Sequence, residues 1–301
     1  MTWLLVIIAA YLILAVVFLV DKYLLTASFP NPKVFAFNVG VLGILALVFA
    51  PFVGFEFPSA KQIMLSLASG ALFIYGLYWF FKGLHLYEPS RIVPAISGII
   101  PIFTFLLVYI FSGGKETFTI KEFLSFIMLV LGSVLITYQK GKEIYSGIKI
   151  SALSAFFLAL SFVLTKYVFL EQPFVSGYIW MRVGGFLMAG IFFLSKEVRT
   201  GLAQTKNNFP KKGAVLFLSN QLAGFGANVL QNWSIALVPL AYVSIINALQ
   251  GVQYIFMFIF AAILSLKFPK ILKEEIFRGI LIQKISAILI IIAGLAILAI
   301  R

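Results

Sequence analysis

The chain has 301 residues, 62% hydrophobic and only 11% charged, with a mean hydropathy of +1.08. A soluble domain carries about a quarter charged residues, so the composition excludes a soluble globular fold and points to a lipid environment. With no cysteine and a single histidine, His85, disulfides and thiolate or multi-histidine metal sites are excluded. The formal net charge of +13 is scattered singly between apolar runs, which is how membrane orientation, and not a nucleic-acid surface, distributes basic residues.

A bilayer-crossing helix takes roughly 20 apolar residues. The amino-terminal run "MTWLLVIIAAYLILAVVFLV" lacks the basic start and small-residue cleavage site of a secretory signal, so it reads as a retained first span, 3–21. Nine more follow at 33–53, 62–84, 90–112, 120–138, 148–169, 174–194, 213–236, 239–266 and 280–300, joined mostly by short connections. The expected fold is an all-α integral membrane protein of ten transmembrane helices.

The end of the first span, "AVVFLVDKYLL", returns at the end of the sixth as "ALSFVLTKYVF", 144 residues later. The same offset aligns "FNVGVLGIL" at Phe37 with "MRVGGFLMA" at Met181, and an offset of 153 aligns Tyr78–Gly98 with Gln231–Gly251. Longer loops in the second copy account for the drift. The chain therefore reads as two five-helix units, 1–143 and 144–301, and an odd helix count inverts the second relative to the first. Inverted repeats around a midplane site are an architecture of secondary transporters.

Of the 23 Lys and Arg, 17 lie at the membrane face carrying the loops after spans 1, 3, 5, 7 and 9. By the positive-inside rule that face is cytoplasmic and both termini are outside. The expected location is the inner or plasma membrane, multi-pass.

Several recurring positions carry a resemblance. Lys22 and Lys166 close the first helix of each unit; Arg182 precedes small residues in "MRVGGFLMAG". Polar turns lead into "YEPSRIVPAISGIIP" and "VPLAYVSIINALQG", and "GGKETFT" carries Glu116, with "KEE" at Glu274 as its looser partner. In these features the chain resembles the EamA branch of the drug/metabolite transporter superfamily. The resemblance implies export or exchange of small metabolites such as amino acids by alternating access. Asn38 stands where an arginine is expected, and Asn247 where the first unit has Pro94, so the resemblance does not carry a substrate.

Polar groups at membrane depth are costly, about 2.5 to 3.5 kcal/mol for a charge at a helix centre, and so face partners or water. The eighth span places Gln221, Phe225, Asn228 and Asn232 on one face, with Asn220 and Gln231 beside it. The ninth adds Ser244, Asn247 and Tyr254 on a stripe, flanked by Gln250 and Gln253. The repeat offset pairs Tyr75 with Asn228, Trp79 with Asn232, Pro94 with Asn247 and Ser97 with Gln250. With Tyr78, these give an expected substrate site between the halves with an aromatic wall and an amide wall. Amides gluing helices and aromatics packing or lying at the interface are the alternative reading of the same residues. Arg182, deep in the seventh span, is either a helix-holding hub or a ligand for a substrate carboxylate.

No span has an acid at its centre. Gating or coupling therefore falls to groups nearer the ends: Asp21, Lys22, Lys166, His85 and Glu88. Clustered acids for a divalent metal and a nucleophile with its base are both missing from the sequence, so no enzyme, metal or cofactor is expected. The expected partners are a small-molecule substrate and the bilayer, with no nucleic acid, in a monomer or homodimer. A lipid-handling protein that flips a lipid-linked headgroup is the alternative, and it would need a side opening with basic residues at its mouth.

Overall fold

A computed structural model describes residues 2–27, 31–52, 55, 57–87, 89–137, 147–208, 211–267 and 278–299. It is all helical over those residues: α1 (Thr2–Ala27), α2 (Pro32–Gly43) running into a 3-10 segment (Ile44–Phe52), α3 (Ala60–Leu86), α4 (Pro89–Phe111), α5 (Ile120–Thr137) and α6 (Ile148–Glu171). Then come α7 (Phe174–Phe193), α8 (Lys196–Asn208), α9 (Lys211–Leu237), α10 (Tyr242–Ala248), α11 (Gln250–Lys267) and α12 (Arg278–Ala299). Among the described residues eight stretches are long and apolar enough to cross a membrane, and Gly98–Phe111 is a shorter apolar helix.

Local chemistry fixes the helix starts. Asn31 caps α2, its side chain accepting from the amides of Lys33 and Val34 at 2.9 and 3.2 Å with Pro32 in the first turn. Ser59 and Gln62 form a reciprocal capping box on α3, and Thr119 with Glu122 does the same for α5. The loop expected between the seventh and eighth spans contains α8, a polar helix. It is pinned by buried Val198, by Gly201 against Val34, and by Glu197, which accepts from Asn31 at 3.0 Å.

Lipid tails are as apolar as leucine, so helix association here rests on close packing and interhelical hydrogen bonds. At the α3–α6 contact Ser69 and Ser161 each donate to the other's carbonyl, at 3.1 and 2.9 Å, and Ser154 donates to the Gly76 carbonyl. Across α3 and α7 the backbones touch: a Cβ at Gly70 would overlap the Met181 carbonyl, and one at Gly184 would overlap the backbone of Leu67. α5 and α12 interlock through Gly132 and Gly294, with Ser125 donating to the Gly294 carbonyl at 2.7 Å.

The ninth expected span is broken at Leu249 into α10 and α11. Carbonyls around the break are taken up by side chains: Ile246 accepts from the Tyr11 hydroxyl at 2.6 Å and Ala248 from Ser133 at 3.2 Å. Non-ideal backbone at membrane depth needs such partners.

The packing is lopsided. α3 lies against both α6 and α7, whereas α9 lies against α1 and touches α2 and α7 only lightly. The gap on the α9 side is where the main cavity forms.

Candidate functional site

A cavity of ≈ 470 Å³ lies among α1, α2, α3, α9 and the α10–α11 break. Its deep end is polar. Asn228 sits on α9 one turn below Asn232, and its side-chain oxygen accepts from Arg182 Nη2 and, at 3.3 Å, from the Tyr178 hydroxyl. Asn232 donates to both oxygens of Asn228 at 2.8 Å, which holds that amide in orientation. The Arg182 guanidinium also stacks on Tyr178 with its carbon 4.6 Å from the ring centre, and its Nε finds no acceptor among the described residues.

From there the cavity runs along α9 past Gln221 to Asp21 on α1. Asp21 is buried at 8% exposure and its Oδ1 accepts from Asn220 at 2.8 Å. The facing wall is the broken span: Asn247, which donates to Thr104 at 2.9 Å, then Gln250 and Gln253. Gln253 is fully buried and neither of its amide atoms has a partner among the described residues. A buried amide left unpaired costs about 1 to 3 kcal/mol, so this side chain waits for water or a ligand group. Apolar side chains such as Phe18, Leu77 and Phe162 complete the lining. A second, water-sized space of ≈ 20 Å³ lies between α3, α6 and α7, against Arg182, Asn228 and Asn232.

The structure thus brings Gln221, Asn228, Asn247, Gln250, Arg182 and Asp21 to one cavity. Asn220 reaches it by holding Asp21, and Asn232 by holding Asn228. The aromatic trio is elsewhere: Tyr75, Tyr78 and Trp79 cluster with Phe157 and Phe192, with the Lys82 ammonium 4.6 Å from the Trp79 ring centre, apart from the cavity lining. Tyr254 packs with Ile136 and Ala287. Pro94 and Ser97 lie on α4, but their side chains are outside the described residues, as is that of Lys22; Glu88 and Glu274 are outside them entirely.

His85 is exposed in the last turn of α3. Lys166, by contrast, is buried at 3% exposure and donates to the Ala236 carbonyl at the end of α9, 3.1 Å away. Beside it the Ala241 amide donates to Glu116 at 3.3 Å, and the Tyr242 hydroxyl donates to Glu122. These contacts fasten the end of the bundle opposite Asp21.

Sequence reasoning missed Tyr11, which lines the cavity while bonding Ile246. Its signal was present: a lone hydroxyl in the middle of an apolar span needs a partner.

No curated protein matches the sequence. Among solved structures 28 chains match. One, the subject of a crystal structure, is 15% identical, with the alignment covering 98% of this chain and 96% of its own, at a TM-score of 0.65. That likeness shows a shared fold. Residues 1–138, a little under half of the chain, match the EamA-like transporter family, and with eight helices among the described residues long and apolar enough to cross a membrane the chain is a multi-pass membrane protein whose first half is similar to that family.

Proposed function

We propose that the protein is a secondary carrier of a small polar or zwitterionic metabolite, an amino acid or a similar solute, exported or exchanged by alternating access. The carrying observation is the amide-walled cavity that holds Arg182 and Asp21 between helices of both halves. The proposed frame is ten spans in two inverted units, 1–143 and 144–301, with α10 and α11 together as one span. The helix contacts support it: α3 packs on α6 as α9 packs on α1, and α4 on α6 as α11 on α1.

One contact departs from that pairing. α3 closes on α7, while its counterpart, α9 on α2, stays open. Such a difference is what one conformer of a two-state carrier requires, since the other state exchanges the two arrangements. The cavity leads toward the end of the bundle where α1 finishes and α2 begins. By the positive-inside count that end is cytoplasmic, with both termini outside and the protein in the inner or plasma membrane.

A lipid-handling role is the second reading. Leu45, Leu218 and Leu222 line the cavity and are also exposed on the apolar outer surface, so the gap between α2 and α9 opens sideways. Among the described residues its rim is apolar, which favours the carrier. Counterflow of radiolabelled amino acids and sugars in proteoliposomes, run with and without a pH gradient, separates the two. Accumulation of a soluble solute supports the carrier; movement of a fluorescent phospholipid between leaflets with no solute counterflow supports the lipid handler.

A further inference from the structure

The cavity holds two opposite charges, one at each end, and α9 measures their separation. Asn220 holds Asp21 and Asn228 holds Arg182. Eight residues of helix separate those two amides, a rise of about 12 Å at 1.5 Å per residue. Among the described residues no carboxylate lies within ion-pair distance of Arg182, and no cation within that distance of Asp21. Among the described residues each charge therefore faces the cavity with neutral hydrogen-bond partners only, Asn220 at Asp21 and Asn228 with the Tyr178 hydroxyl at Arg182. Between them the wall presents Gln221, Gln250 and the unpaired Gln253.

Resting on the carrier reading, we infer that the substrate is a zwitterion whose ammonium and carboxylate are well separated, the ammonium on Asp21 and the carboxylate on Arg182. Taking the rise along α9 as the spacing of the two charges and subtracting two charge-assisted contacts of about 2.8 Å leaves about 6 Å between the solute's charges. The amine and carboxyl carbon of an α-amino acid are only about 2.5 Å apart, being joined by two bonds of about 1.5 Å, so an α-amino acid cannot meet both ends. An ω-amino acid, a diamino acid using its terminal amine, or a dipeptide-length zwitterion can. The free amide of Gln253 then has the polar or hydrated middle of such a solute as its partner.

The test uses the purified full-length protein in nanodiscs and isothermal titration with four probes of equal carbon count. 6-Aminohexanoate carries its charges at the two ends of the chain. L-Norleucine carries both at one end; hexanoate lacks the amine and hexylamine the carboxylate. The expected result is at least tenfold tighter binding of 6-aminohexanoate than of any other probe. Asp21→Asn should erase its advantage over hexanoate, and Arg182→Gln its advantage over hexylamine. Arg182→Lys, which keeps the charge, should retain part of the preference and so separates loss of the ligand contact from loss of the fold. Equal or tighter binding of L-norleucine, or unchanged 6-aminohexanoate binding in Asp21→Asn, overturns the inference. If L-norleucine also shows counterflow, the carrier reading stands while the spacing inference falls. If no probe binds and only phospholipid moves, the carrier reading falls with it.

Discussion

Gly70 is the position at which one added methyl group tests the two-state reading. A Cβ there would stand 2.6 Å from the Met181 carbonyl carbon and 3.0 Å from the Gly185 amide nitrogen. Carbon atoms rest at about 3.5 to 4.0 Å, the Met181 carbonyl oxygen lies closer still, and all three obstacles are backbone, so α3 and α7 must part by more than about 1 Å. Overpacking of that kind costs about 1 to 3 kcal/mol. If α3 and α7 separate in the other conformer, the strain falls on this conformer alone, and 2 kcal/mol shifts the balance about 30-fold at 1.4 kcal/mol per tenfold. The chain has no cysteine, so a single Gln221→Cys in the cavity can be followed by an impermeant maleimide without further changes. In Gly70→Ala its labelling rate should fall at least tenfold. Gly226→Ala is the control, because a Cβ there meets nothing within 4 Å. A Gly70→Ala protein that is folded but less stable, with labelling unchanged, would refute the reasoning: the α3–α7 contact would then be ordinary packing.

Three further outcomes follow from the site. Asn228→Asp gives Arg182 a charged partner in place of the substrate, so melting temperature should hold or rise while transport falls at least tenfold; parallel loss of both would make Arg182 a structural hub. Trp79→Phe changes a ring outside the cavity and should leave counterflow within about twofold, whereas a larger loss would return the aromatic wall to the pathway. Lys166→Met removes a buried charge whose bond to the Ala236 carbonyl holds the far end of α9. Hydrogen bonds to charged groups contribute about 1.5 to 3 kcal/mol, so maleimide labelling of Ala236→Cys should rise about tenfold; unchanged labelling would remove Lys166 from the closure.

The amide wall was legible because polar groups in an apolar helix have few places to go. The 100° step put Gln221, Phe225 and Asn228 on one face of α9, and all three line the cavity. Asn232, on the same face, turns instead to hold Asn228. The aromatic wall was not legible, because the repeat offset carries a position into the other half without carrying its surroundings. Tyr75 and Trp79 occupy the α3 positions that match Asn228 and Asn232, but α3 is closed on α7 where α9 stands open, so the matched residues meet different neighbours. Asp21 and Lys22 were adjacent candidates in the sequence; burial beside Asn220 singles out Asp21. The break at Leu249 and the polar helix α8 had no hydropathy signature, since both depend on side chains from distant segments: Tyr11 and Ser133 at one, Asn31 and Val34 at the other.

The central claim is that the transported solute sits in the cavity between α9 and the broken span. Gln250→Cys places one thiol on that wall, and the direct measurement is its rate of maleimide labelling with and without a solute that the same proteoliposomes counterflow. The expected result is protection that saturates at the concentration that half-saturates transport. Labelling that ignores a solute under active counterflow would place the pathway elsewhere and contradict the account.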